Sequence, residues 1–300
     1  MRHLLTLSFL HLVLLLAAQP AKISKDSLMA HVRFLAADEM EGRKTGAPGN
    51  KAAARYILNR FTAYGLTAAG AEGYLQPFQF YSRFSKKAYS GTNLLAMVKG
   101  TAFPDSFIVV SAHYDHLGTK GGKIYNGADD NASGVGALLE LARYFKVNPT
   151  PYSLLFAAFD AEELGLRGAK HFVDEPTVAL ENIHLNINLD MIGRNEKEEI
   201  YICGTGHYPE LRPSMERLAK ASSIQVSFGH EAPSPSPADD WTFASDHGVF
   251  HEKAIPFLYF GVEDHPDYHQ PTDDTERIMP DFYKAVAQLL LETVSNLAQP

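Results

Sequence analysis

Cysteine is almost absent: the chain has one, Cys203, in 300 residues. No disulfide can close within it, and a metal site built from several thiolates is excluded. Any metal must be held by His, Asp or Glu. Positive charge is also short, with 27 Lys and Arg against 35 Asp and Glu, for a net charge of −8. There is no bulk positive field to engage phosphates, which argues against a nucleic-acid partner. No apolar run reaches the roughly 20 residues that span a bilayer. There is no internal repeat, and Gly 22 and Pro 17 are ordinary, so a collagen-like or low-complexity chain is excluded as well. The length suffices to bury a sizeable core.

The longest apolar stretch lies at the start. Met1-Arg2-His3 is basic, and residues 4–18 are apolar apart from Thr6, Ser8 and His11. Small residues follow at Ala17, Ala18 and Ala21. This is the layout of a secretory signal peptide cleaved between Ala18 and Ala21. A buried core helix or an uncleaved anchor are the alternatives. The expectation is that residues 1–21 are removed and residues 22–300 form a single domain. That domain is expected to be exported to the periplasm or the extracellular space, with no stable membrane anchoring afterwards.

Helical spacing of apolar residues and capping signals predict helices over 24–34, 50–64, 134–145, 209–221 and 280–297. Strands are predicted over 75–81, 92–99, 106–112, 153–159, 182–189, 199–203, 224–228 and 255–260. The run 153–159 is apolar throughout, as in a strand covered on both faces. Strands alternating with helices imply an α/β fold, with a mostly parallel (mixed) central sheet and helices on both faces. The proline-rich stretch 232–237 reads as a surface loop.

In such sheets ligands bind beyond the carboxyl ends of the strands, and the chemistry collects there. His113-Tyr-Asp115-His116 follows the strand 106–112, with His113 and Asp115 on one side of an extended backbone. A His beside a carboxylate is a usual pairing around a metal. The strand 153–159 runs into Asp160-Ala-Glu162-Glu163, acids that are costly to bury unless paired or metal-bound. Of two adjacent glutamates aimed into one pocket, one can ligate a cation while the other handles a proton on water. Asp190 follows the strand 182–189. Asp264-His265-Pro-Asp-Tyr-His269 follows the last strand. Asp129 and Asp130 open the helix at 134 within a Gly-rich turn. Each has a plainer reading, as an N-cap, a partner of a helix dipole or a solvated loop. Taken together, four strand ends and one helix start direct N and O ligands to one edge. That set suits Zn²⁺ or Mn²⁺, and it is large enough for two metals sharing a bridging carboxylate.

These segments resemble the secreted dizinc aminopeptidases, the family that also contains glutaminyl cyclases. The resemblance rests on His113-x-Asp115, Gly127-Ala-Asp129-Asp-Asn-Ala-Ser-Gly134, Ala161-Glu162-Glu163-x-Gly-Leu-Arg-Gly168, Leu189-Asp190-Met191 and Tyr268-His269. The opening Phe34-Leu-Ala-Ala-Asp-Glu-Met-Glu-Gly-Arg43 is similar to bacterial members. The resemblance implies a three-layer zinc-exopeptidase sandwich with two Zn²⁺ per chain. His113 and Asp190 would hold one ion, Glu163 and His269 the other, and Asp129 would bridge them. Glu162 would be the general base, and Asp115 would orient His113. His265 competes with His269. Ser245-Asp246-His247 is a further family element without an assigned role. The implied substrates are peptides with a free N-terminus. Another dizinc exopeptidase (a dipeptidase or carboxypeptidase), a glutaminyl cyclase and a non-catalytic binding protein are the alternatives.

Overall fold

A computed structural model describes residues 23–83, 85–231 and 239–300. The signal segment expected over 1–21 and the loop over 232–237 lie outside the described residues. The chain begins with helix α1 (Lys25–Leu35), whose N-cap Ser24 accepts from the Ser27 N–H. Helix α2 (Pro48–Ala63) starts on a proline, where the missing N–H would be unpaired anyway. The strands β1 (Thr67–Ala68), β2 (Leu75–Ser82), β3 (Lys87–Val98) and β4 (Phe103–His113) follow. A small hairpin, β5 (Gly118–Lys120) and β6 (Lys123–Tyr125), precedes helix α3 (Gly134–Val147). Strand β7 (Tyr152–Phe159), helix α4 (Arg167–Asp174), strand β8 (Ile183–Leu189) and strand β9 (Glu199–Cys203) come next. The chain continues through α5 (Arg212–Ala221), β10 (Gln225–Phe228), α6 (His247–Glu252), β11 (Phe257–Gly261) and α7 (Pro280–Leu297).

Nine strands form one mixed sheet in the order β1, β3, β7, β4, β8, β11, β9, β10, with β2 also paired to β3. Its middle is parallel: β7 with β4, β4 with β8, and β8 with β11. The outer pairings β3–β7 and β9–β11 are antiparallel. The carboxyl ends of the four central strands therefore lie along one edge.

The strand periodicity separates two cores. Leu94, Ala96, Ile108 and Val110 face one way, with α1, α2, α3 and α7 over them. Leu95, Val109, Leu155 and Ala157 face the other, against Phe172 of α4 and Val249 and Phe250 of α6. Successive residues on a strand point to opposite faces, so both layers are read from the same strands. Truncating a fully buried ring such as Phe156 would cost about 3–5 kcal/mol.

Helices α4 and α6, the hairpin β5–β6 and the edge strand β1 were not among the expected elements. They are too short for a periodicity to emerge. Strand β3 begins at Lys87, earlier than expected, because it pairs with β2 from Lys87–Ser82 to Leu94–Leu75. The helix expected over 209–221 divides into a tight turn, Pro209–Leu211, and α5. No helix among the described residues is long and apolar enough to cross a membrane.

Candidate active site

The carboxyl-terminal edge of the parallel strands carries the chemistry. His113 is the last residue of β4, and Asp190 directly follows β8. Glu162 and Glu163 sit in the turn after β7, and His269 in the loop after β11. Four residues in these turns have left-handed backbone without being glycine: Ala161 (φ 61°), Leu166 (φ 60°), Met191 (φ 55°) and His269 (φ 55°). Such a conformation costs roughly 1–2 kcal/mol per residue, and it re-aims the chain just where the acids must turn inward.

Two groups of side chains converge. In the first, His113 Nε2 lies 3.2 Å from Asp190 Oδ1 and 3.4 Å from Asp130 Oδ1. In the second, His269 Nε2 is 3.2 Å from Asp130 Oδ2 and 3.5 Å from Glu163 Oε1. His116 Nδ1 joins the second group at 2.8 Å from Glu163 Oε1 and 3.6 Å from Asp130 Oδ2. Asp130 thus presents one oxygen to each group.

Asp129, expected as the shared carboxylate, lies outside both groups. Its Oδ1 accepts from the Gly193 N–H at 2.6 Å, and its Oδ2 faces His265 Nε2 at 3.1 Å. The neighbouring carboxylate, Asp130, takes the shared place. Adjacent residues in a turn point in different directions, and spacing alone does not say which one faces the site. Asp273 holds the turn by accepting from the Asp129 and Asp130 N–H groups at about 3.0 Å. Gly127 (φ 57°) leaves room for the turn: a Cβ there would come within 2.5 Å of the His116 ring. His265 is therefore paired with Asp129, while His269 enters the cluster.

A supporting layer lies behind. Asp115 Oδ1 accepts from the Glu162 N–H at 3.0 Å, and its backbone carbonyl lies 3.2 Å from His113 Nδ1. Asp160 is buried and takes bonds from Thr45, Asn50, Tyr114 and the Thr92 N–H. Burial, with Asp115 nearby, lifts its carboxyl to about 7. Arg43 is fully buried and donates to the carbonyls of Leu35, Tyr114, Asn126 and Gly127 at 2.5–2.8 Å. Asp246 is buried, and neither of its oxygens has a hydrogen-bond partner among the described residues. Burial lifts its carboxyl to about 8, against the opposing pull of His113. Sequence reasoning missed Asp130, His116 and Arg43 as participants. The alternation that singles out a strand end gives no such signal inside a turn.

The electrostatics are those of a crowded acidic pocket. Burial raises the Glu162 carboxyl well above its usual range, partly opposed by His113. Burial also pushes Glu163 up, but His116 and His269 outweigh it and hold the carboxyl below its usual range. Burial would lower the His269 imidazole; Asp130 and Glu163 reverse this and raise it to about 10. Ligand atoms of His113, Asp130 and Asp190 lie within 4.8 Å of one another, as do those of His116, Asp130 and Glu163. His116 Nδ1 and Glu163 Oε1 are buried without hydrogen-bond partners. Compact sets of imidazole and carboxylate with unused ligand atoms fit divalent zinc. Met191, Trp241, Tyr259, Val262 and Tyr268 wall the same pocket.

Comparison with known proteins gives the fold and the family. Aminopeptidase YwaD of Bacillus subtilis is 31% identical over 210 residues, which is 65% of this chain and 42% of that protein. The chain thus spans well under half of that relative. The structure of a zinc aminopeptidase from Bacillus subtilis superposes with a TM-score of 0.73, at 19% identity over 93% of this chain and 96% of that one. A glutaminyl cyclase of Bacteroides thetaiotaomicron gives the same score, at 19% identity over 93% and 99% of the two chains. At such identities the structures establish the fold alone. The pattern of peptidase family M28 matches residues 93–294. That stretch takes in the whole parallel centre of the sheet, and on that match the chain belongs to peptidase family M28.

Proposed function

We propose that the chain is a co-catalytic dizinc aminopeptidase that removes N-terminal residues from peptides. The observation that carries this reading is Asp130, whose two oxygens face two separate groups of ligand atoms. His113 and Asp190 would hold one ion, Glu163 and His269 the other, with Asp130 common to both. Zinc held there supplies a Lewis acid for the scissile carbonyl and lowers the pKa of water.

The chain's own residues do the rest. Glu162 lines the pocket and belongs to neither group of ligand atoms. Its carboxylate takes a proton from the attacking water and returns it to the departing amine. A carboxyl lifted by burial is the stronger base this task needs. Asp115 fixes both the Glu162 backbone and the His113 ring. The aromatic and apolar wall receives the side chain of the N-terminal residue. Residues 1–21 fit an export signal, so the substrates are peptides met outside the cytoplasm.

A tripeptide, its N-acetylated form and a glutamine-started peptide test the reaction by chromatography, alongside elemental analysis for two zinc ions per chain. Stepwise release of single residues from the free tripeptide is expected, with the acetylated form a poor substrate. Equal cleavage of the acetylated peptide would overturn the aminopeptidase reading. Conversion of N-terminal glutamine to pyroglutamate without chain cleavage would mark a cyclase.

A further inference from the structure

His116 has no task in the ligand set above, yet it lies inside the cluster. It is 1% exposed, and neither ring nitrogen has a hydrogen-bond partner among the described residues. Leaving buried polar atoms unpaired costs about 1–3 kcal/mol, so packing alone is a poor reason for a histidine here. Its Nδ1 is nevertheless 2.8 Å from Glu163 Oε1. At that separation a hydrogen bond fails only if the nitrogen is not directed at the oxygen. Ligand atoms of His116, Asp130 and Glu163 lie within 4.8 Å of one another, close enough to share one ion.

The other edges of the group agree. Nδ1 of His116 is 3.6 Å from Asp130 Oδ2, and that oxygen is 3.2 Å from His269 Nε2. His269 Nε2 is in turn 3.5 Å from Glu163 Oε1. Atoms that each sit about 2.0–2.2 Å from one zinc are roughly 3 Å from each other. The backbone fixes the ring in place. The His116 N–H donates to the Arg43 carbonyl at 3.3 Å, and the ring packs where a Cβ on Gly127 would come within 2.5 Å of it.

We propose that His116 is a ligand of the ion held by Glu163, His269 and Asp130. This half of the site then binds through two imidazoles and the other half through one. The inference rests on the two-metal reading. Imidazole favours zinc, cobalt and copper over magnesium and manganese, so the two halves differ in their metal preference.

The test uses the whole chain loaded with Co²⁺, followed by proton NMR. Each imidazole on cobalt gives one strongly shifted, exchangeable N–H signal. Three are expected in the unaltered protein, from His113, His116 and His269, and two in His116→Gln. In that variant the affinity for one of the two ions should fall at least about 10²-fold, since losing even a partner of a ligand costs 10–100-fold. The affinity for the other ion should be unchanged. Two shifted signals in the unaltered protein would overturn the proposal, and so would an unchanged spectrum in His116→Gln. If the variant fails to fold, the signal count in the unaltered protein decides. Binding of a single cobalt would instead sink the two-metal reading, and a shifted His116 signal would then decide this proposal by itself.

Discussion

The two halves of the acidic pocket are built differently. His113 and Asp190 stand on the ends of central strands, and both are buried. Glu163 and His269 stand on turns, and the His269 side chain is 38% exposed. Strand ends are held by the sheet ladder on both sides, whereas a turn is held only by the contacts it makes. The difference teaches where rigidity enters. One half is positioned by the fold itself, and the other by hydrogen bonds within its turns, where Asp115 accepts from the Glu162 N–H and the His265 and Asp267 carbonyls accept from the Tyr268 and Gln270 N–H groups.

The strongest way to break this comparison is at the residue common to both halves. Asp130→Asn should cost both metal ions and reduce activity to background, by elemental analysis and peptide assay. Asp129→Asn should keep both ions, and lose about 1–3 kcal/mol of stability because its bonds lie outside the cluster. If Asp129→Asn lost the ions and Asp130→Asn kept them, the shared role would return to Asp129.

Glu162→Gln comes next. Removing a general base typically costs about 10²–10⁴ in rate, so kcat should fall by that factor while bound zinc stays at the unaltered level. Loss of zinc in this variant would make Glu162 a ligand.

The chelated protein separates the halves by stability. His113→Gln leaves buried carboxylates without their imidazole partner and should destabilise by about 1–3 kcal/mol. His269→Gln also takes an imidazole from Asp130 and Glu163, but its ring is 38% exposed and screened by solvent, so its loss should be smaller than that of His113→Gln. Urea unfolding of both variants checks this, and equal losses would remove the distinction between strand and turn.

The parallel strands, their two-faced alternation and the gathering of polar residues at their ends were legible in the sequence, because a period of two in burial is a property of the backbone. The choice between His265 and His269 rested on the resemblance, and the structure brings His269 into the cluster. Asp130 was not legible. Asp129 and Asp130 are the same residue type at adjacent positions, and what distinguishes them is the Gly193 N–H and the His265 ring, which occupy the Asp129 carboxylate. His116 was hidden for a related reason: nothing in His113-Tyr-Asp-His116 says that the chain leaving β4 bends back toward Glu163. Helices α4 and α6 escaped because six to eight residues make barely two turns.

A pH profile tests the frame below the pocket. Burial pushes the His247 imidazole down to about 4. The unfolded chain takes up that proton near pH 6.5 and the folded chain only near 4, so this residue weakens the fold as pH falls through that window. The full effect is about 3 kcal/mol. Asp246 acts in the opposite sense. Its carboxyl, raised to about 8, favours the folded state at low pH and loses that contribution as pH rises from 3.8 to 8. Urea unfolding of His247→Gln between pH 4 and 7 should show a shallower loss on the acid side than the unaltered protein; parallel curves would refute the neutral buried ring.

Arg43 grips four backbone carbonyls. None of those carbonyls titrates, and none is a ligand. Chelators and mild acid therefore leave this brace untouched. In a zinc finger, metal and fold arrive together; here one guanidinium ties Leu35, Tyr114, Asn126 and Gly127 together without using a ligand atom. A stripped chain is therefore expected to keep its fold, and urea unfolding in the presence of a chelator checks this.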